Sequence, residues 1–259
     1  MYIHGGGMAI GSIMQPEYQA FLRVLAKQGV VVVAPEFRNS TVPTAHNPET
    51  APFPAGLNDC FSTLKWVHAN KSKLNIDDRI VVAGESGGGN LTLSLTIKCI
   101  REGQRELIAH GIYPICPYIA GNWSQDEKNS GILGTSHLDE VNNSIFLTLP
   151  TNETAALEYG IEAYRRKDAL AWPAFASEED LRQFPRVAMH VNELDPLRDE
   201  ALLFFRRLLR ANVRATCKQL MATPHGAEIM STFLPEVTID ACASLAIFAK
   251  VRLPPLAAL

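Results

Sequence analysis

Arg79-Ile80-Val81-Val82-Ala83-Gly84-Glu85-Ser86-Gly87-Gly88-Gly89-Asn90 is followed by an apolar stretch that runs on to Ile100. The β-branched run predicts a strand, the glycines a tight turn, and the stretch from Asn90 a helix. A serine at the apex of such a turn has its hydroxyl lifted clear of the sheet, and the strain of the turn demands small flanking residues. A lone Gly-x-Ser-x-Gly is a weak signal. Set between a strand and a helix, with a second glycine cluster placed to line the same pocket, it is a strong one. That second cluster is His4-Gly5-Gly6-Gly7, after Tyr2-Ile3, which reads as the tail of a strand.

Outward from this stretch the pattern repeats. Strands are expected at Val30–Ala34, Ile80–Ala83, Ile108–Ile115, Val187–Val191 and Ala215–Leu220. Helices are expected at 17–28, 56–70, 90–101, 155–166, 198–211 and 236–251. Such alternation predicts an α/β fold, a mainly parallel sheet with helices on both faces, and 1–259 reads as one domain. Two long loops, Asn39–Pro54 and Gly121–Val141, follow strands on the serine's side and are expected to shape the pocket rim. Phe53, Trp123 and Trp172 are the rim candidates.

The 259 residues are 47% hydrophobic and 20% charged, with a formal net charge of −3. That composition suits a globular chain and carries no basic patch, so nucleic acid and anionic membranes are not expected partners. The five cysteines are scattered without Cys-x-x-Cys spacing, so they read as buried thiols of a reduced, cytoplasmic compartment rather than a zinc site or disulfide framework. No run is long and apolar enough to span a membrane.

A serine hydroxyl needs a base within hydrogen-bond reach to attack at neutral pH, and that base needs an orienting carboxylate. With Ser86 as nucleophile, Asp195 follows the strand at 187–191 and His225 follows the strand at 215–220, in the chain order Ser, Asp, His. Glu193 and Asp199 are rival acids, and Asp195 also suits a helix start. His46 and His137 lie in the long loops, His68 and His110 read as surface or packing residues, and His190 as a core histidine. Gly6, Gly7 and Gly87 supply backbone N–H groups for an oxyanion, and His4 reads as structural. The bland alternatives are a phosphate-binding turn at Gly84–Asn90, which lacks the lysine and glycine spacing of a nucleotide loop, and a flexible N-terminal linker at His4–Gly7.

Taken together, His4-Gly5-Gly6-Gly7, Pro52-Phe53-Pro54-Ala55 before Asp59, Gly84 to Leu91, Asp195 to Glu200 and Pro224-His225-Gly226 resemble the hormone-sensitive-lipase-like branch of the α/β-hydrolases. The resemblance covers nearly the whole chain. It implies an α/β-hydrolase fold and a carboxylesterase for short to medium acyl esters, working through an acyl-enzyme without metal or organic cofactor. Carried over, Ser86 is the nucleophile, His225 the base, Asp195 its orienter, and Gly6, Gly7 and Gly87 the oxyanion donors. Gly87 stands where the branch usually has alanine, an exchange expected to leave the N–H donor unharmed. Glu85 stands where aspartate or threonine is commoner, and is expected to tune His225 or to bond a rim group. The chain also begins almost at its first motif, so the N-terminal cap and first strands of the branch are expected to be missing. An open site and apolar surface favouring oligomers, such as a homodimer, would follow. Rival readings are an amidase or acyltransferase with the same triad, a non-catalytic small-molecule-binding protein, and an inactive truncated hydrolase.

Overall fold

A computed structural model describes residues 1–121, 134 and 141–252. Its sheet is parallel throughout and runs β1 (Tyr2–Ile3), β2 (Val82–Glu85), β3 (Ile112–Ile115), β4 (Val187–Leu194) and β5 (Ala215–Pro224) in spatial order. Parallel neighbours need crossover connections, and helices supply them. Helices α1 (Pro16–Lys27), α2 (Ala55–Ala69) and α3 (Lys71–Leu74) join β1 to β2, and α4 (Gly87–Arg101) joins β2 to β3. Helices α5 (Asn142–Ile145), α6 (Leu149–Arg165) and α7 (Glu178–Arg182) lie between β3 and β4. Helix α8 (Arg198–Arg210) leads to β5, and α9 (Pro235–Lys250) follows it. Among the described residues no helix is long and apolar enough to cross a membrane.

Side chains alternate across a strand, so a sheet covered on both faces must be apolar at every position. Ile3, Val82 and Ile112 point into one core layer with Leu91, Leu95 and Phe204. Their neighbours Tyr2, Ala83 and Tyr113 point into the other, with Phe21 and Leu25 of α1 and Leu245 of α9. Helix α4 runs through the centre, and all of its 15 residues except Lys98 and Arg101 are buried. Its Leu-Thr-Leu-Ser-Leu-Thr-Ile run has the two-residue period of a strand yet is helical. The polar members bond within the helix, Thr92 to the Gly88 carbonyl at 2.8 Å, Ser94 to Asn90 at 2.9 Å and Thr96 to the Thr92 carbonyl at 2.9 Å. Each fully buried leucine contributes roughly 1.5–3 kcal/mol. All five cysteines are free thiols, four of them buried.

One expected strand is not formed. The Val30–Ala34 run meets the sheet through the Tyr2 amide, which donates to the Val33 carbonyl at 2.8 Å. A two-residue β1 offers no ladder to propagate, and Val31 is left 51% exposed. Apolar β-branched sequence alone does not make a strand; a run of paired amides does. The Ile108–Ile115 run divides into a 3₁₀ turn at Arg105–Ile108 and β3, and β2 begins two residues later than expected. Of the two long loops, 39–54 is free of helix and strand, whereas 121–141, with Trp123 and His137, lies outside the described residues apart from Gly121, Gly134 and Val141.

Candidate active site

Ser86 stands at the junction of β2 and α4 with φ 57° and ψ −117°. A non-glycine residue there stores of order 1–3 kcal/mol of strain, which persists only where the surroundings over-determine it. Here they do: the Ser86 amide donates to the Ile115 carbonyl at 2.9 Å, while its carbonyl accepts from Asn90 at 3.0 Å and Tyr118 at 3.1 Å. The turn also admits no side chain at Gly88, where a Cβ would lie 2.0 Å from the Ile3 carbonyl oxygen.

Three residues from the C-terminal ends of three strands meet at this turn. His225 Nε2 is 2.9 Å from Ser86 Oγ, and His225 Nδ1 is 2.8 Å from Asp195 Oδ2. A carboxylate only accepts, so in the neutral imidazole Nδ1 carries the proton and Nε2 is free to accept from the serine. All three side chains are buried. Asp195 also accepts from the Leu197 amide at 2.8 Å in the turn before α8, so the carboxylate that holds the imidazole is itself fixed by the backbone; the helix start expected of it falls instead at Leu197, which has no side-chain cap. Its two rivals are engaged elsewhere: Glu193 accepts from the Ala222 amide at 2.6 Å, and Asp199 pairs with Arg198 at 2.9 Å. Burial disfavours a charged His225, but Asp195 at bonding distance, with Glu85 and Glu228 nearby, outweighs it and raises the imidazole pKa from 6.5 to about 9.

The two glycine clusters touch. Gly6 and Gly7 have φ of 100° and 61°, a region open to glycine, and their loop turns over Gly6, whose carbonyl accepts from Ala9 and Ile10 at 3.0 Å. A Cβ on Gly87 would lie 2.8 Å from the Gly7 nitrogen and 2.7 Å from the Met8 nitrogen. Among the described residues, the N–H groups of Gly6, Gly7 and Gly87 donate to no protein acceptor. His4 is buried beneath them, its ring stacked on Phe37 at 4.3 Å and its Nδ1 donating to the Gly5 carbonyl at 2.8 Å. The 39–54 loop braces the same segment, Ser40 and Val42 donating to the Met8 and Ala9 carbonyls at 2.9 Å.

Several supports were not anticipated from the sequence. Thr223 and Glu228, on either side of His225, both bond Asn192, at 2.8 and 3.0 Å, so the histidine and aspartate loops are clamped together. The polar break at Asn192 in an apolar strand was the available signal. Buried Glu200 accepts from the Ile119 amide at 2.7 Å and the Ala120 amide at 3.2 Å. Trp172 is no rim residue: it is buried, packed edge-on against Tyr118 and Tyr159 with centroids 5.3 and 5.5 Å away. Phe53 is half-buried against Tyr159. His68 and His110 bond the Leu107 and Ala249 carbonyls at 2.9 and 2.8 Å, and His190 is buried against the Tyr113 hydroxyl at 2.6 Å.

Glu85, Cys116 and His225 bring one potential metal-ligand atom each within 4.8 Å of one another. His225 Nε2 is shared with Ser86, and burial pushes the Cys116 thiol well above its usual pKa, which opposes thiolate ligation. A cavity of about 500 Å³ lies at the opposite, N-terminal end of the strands, among Met1, Val30–Val33, Ile80 and Val81, and none of the three meeting residues lines it.

The sequence pattern of the alpha/beta hydrolase fold family matches residues 1–229. An arylesterase of Saccharolobus solfataricus is 28% identical over 218 residues, covering 82% of this chain and 62% of that protein. An arylacetamide deacetylase of Oryctolagus cuniculus is 26% identical over 275 residues, covering 87% and 67%. The chain therefore spans less than two thirds of the arylesterase. Among solved structures, esterase Est22 superposes with a TM-score of 0.88 at 49% identity, covering 97% of this chain and 72% of that one. Brefeldin A esterase, described as a bacterial homologue of human hormone-sensitive lipase, superposes at 0.86 with 35% identity, covering 96% and 67%.

Proposed function

The chain belongs to the α/β-hydrolase fold family, on its hormone-sensitive-lipase-like branch, and from that premise we propose that it is a serine carboxylesterase for short to medium acyl esters. One observation carries the reading: the unbroken line from Ser86 Oγ through His225 to Asp195, with links of 2.9 and 2.8 Å, beside three backbone N–H groups that no acceptor among the described residues uses.

In this reading His225 takes the Ser86 proton at Nε2 as Oγ attacks the ester carbonyl. The carbonyl oxygen gains a negative charge, which the N–H groups of Gly6, Gly7 and Gly87 receive. Losing one such donor costs about 3–4 kcal/mol of barrier. Asp195 stabilises the imidazolium without taking its proton. The imidazolium then protonates the leaving alcohol, and an acyl-Ser86 forms. Water enters, His225 takes its proton, and the acid leaves with the serine restored. The relatives' names, arylesterase and esterase, support ester chemistry.

A Ser86→Ala variant assayed on a chromogenic short-chain ester decides the matter. Hydrolysis is expected to fall to the background set by the remaining oxyanion donors, and undiminished hydrolysis overturns the proposal. A second reading, amide hydrolysis by the same triad, is favoured by the relative named arylacetamide deacetylase. A panel pairing each ester with its anilide separates the two.

A further inference from the structure

We propose that Glu85 is a positioning residue of this site, one carboxylate oxygen tying the oxyanion loop to the serine turn through Tyr18 and the other standing against Nε2 of His225. The inference rests on the triad reading above and deepens it.

The geometry is that of a wedge. Glu85 closes β2 immediately before Ser86 and is buried. The Gly5 amide donates to Tyr18 Oη at 2.8 Å, and Tyr18 Oη donates to Glu85 Oε2 at 2.6 Å. The direction is set by the first bond: an amide only donates, so the tyrosine proton goes to the carboxylate. A 2.6 Å O–H···O contact is the length of a charge-assisted bond. The other oxygen, Oε1, lies 3.9 Å from His225 Nε2. The fit is tight on one side and in ordinary contact on the other: a Cβ on Gly5 would meet Oε2 at 2.4 Å, and one on Gly226, the residue after His225, would stand 3.4 Å from Oε1. The carboxylate thus separates the residue before the two oxyanion glycines from the residue after the base, and touches both loops.

Its charge acts on the imidazole from the side opposite Asp195. When His225 takes the serine proton at Nε2, that nitrogen faces Oε1, and the positive charge is held between two carboxylates instead of one. Other groups share this environment. Asp195 and Glu228 face His225 from the loops after β4 and β5, Cys116 stands at the end of β3, and Tyr2 of β1 and Tyr18 of α1 lie toward Glu85. Burial raises the Glu85 pKa, which His225 and the Tyr18 hydrogen bond counteract.

The test compares the parent chain with Glu85→Gln, Glu85→Asp and Tyr18→Phe, reading kcat and KM on a chromogenic short-chain ester across pH, with thermal melting as the check on folding. Glu85→Gln keeps an acceptor for Tyr18 and removes the charge. The pH midpoint of the rising limb of kcat/KM is expected to move down by about one unit, with kcat lowered and KM little changed. Glu85→Asp restores the charge and is expected to bring the midpoint back toward the parent. Tyr18→Phe cuts the tie to Gly5 and is expected to lower kcat about tenfold. A folded Glu85→Gln variant with parental midpoint and kcat overturns the proposal. If that variant does not fold, parental kcat in Tyr18→Phe overturns it. A Ser86→Ala variant run in parallel keeps the two proposals apart: loss of activity there, with parental behaviour in the Glu85 and Tyr18 series, removes this inference and leaves the triad reading standing.

Discussion

Replacing Asp195 by asparagine separates the two things a buried carboxylate does for an imidazole. In the parent, His225 has its pKa raised from 6.5 to about 9, against a burial effect of the opposite sign. At 1.36 kcal/mol per unit, that is about 3 kcal/mol of stabilisation of the imidazolium. Asparagine removes the charge, and burial then acts with less opposition, so the rising limb of kcat/KM is expected to move from near pH 9 to below 7. The plateau is expected to fall far more than this shift suggests. The asparagine amide can donate to Nδ1, which places the ring proton on Nε2 and points it at Ser86 Oγ, where an acceptor is needed. An Asp→Asn exchange in a triad of this kind lowers turnover about 10⁴-fold, or about 5 kcal/mol. Initial rates on a chromogenic short-chain ester from pH 5 to 10, with the uncatalysed rate subtracted, measure both quantities. A variant that keeps more than a tenth of parental kcat, or whose limb stays at its parental pH, refutes the assignment of Asp195 as the orienting acid.

Gly87→Ala installs the residue common in the branch, yet its Cβ would lie 2.7 Å from the Met8 nitrogen, so the loop bearing Gly6 and Gly7 must yield. A fall in kcat of about tenfold with a smaller change in KM is expected from steady-state kinetics, because oxyanion donors act in the transition state; unchanged kcat would show that the loop gives way freely. Trp172→Ala is expected to cost about 3–5 kcal/mol in urea unfolding, since the ring is fully buried among Tyr118, Tyr159 and Tyr164, and a cost below 1 kcal/mol would contradict that packing. His225 also links stability to pH. Its folded pKa lies above the unfolded value, so its contribution of about 3 kcal/mol is present below pH 6.5 and is lost as pH rises through about 9. Denaturant titrations of Ser86→Ala at pH 6.5 and 9.5 should show that decline, and His225→Gln should flatten it; identical slopes in both would count against the raised pKa.

What could be read from the chain alone was whatever local chemistry encodes. The Ile80–Ala83 run, the small residues around Ser86 and the apolar stretch beyond them are consecutive, so strand, turn and helix follow from steric and hydrophobic rules acting over a dozen residues. The order of Ser86, Asp195 and His225, each after an apolar run, was legible for the same reason. Val30–Ala34 shows the limit. Its composition suits a strand, but pairing belongs to the neighbour, and the two residues of β1 give it one hydrogen bond instead of a ladder. Trp172 shows another: an aromatic in an irregular segment reads equally as rim or core, and only the packing of three tyrosines around it decides.

The distances that matter for chemistry lie beyond any sequence window. Ser86 and His225 are 139 residues apart and Tyr18 and Glu85 are 67 apart, yet each pair meets at hydrogen-bond length. Residue types and their order settled the fold class and pointed to the three side chains that meet at the serine turn, because backbone preference and burial act residue by residue. Which carboxylate faces the imidazole and which buried glutamate stands between two loops was decided by the folded chain. Direction and distance between side chains exist only once the sheet has set its strand ends side by side.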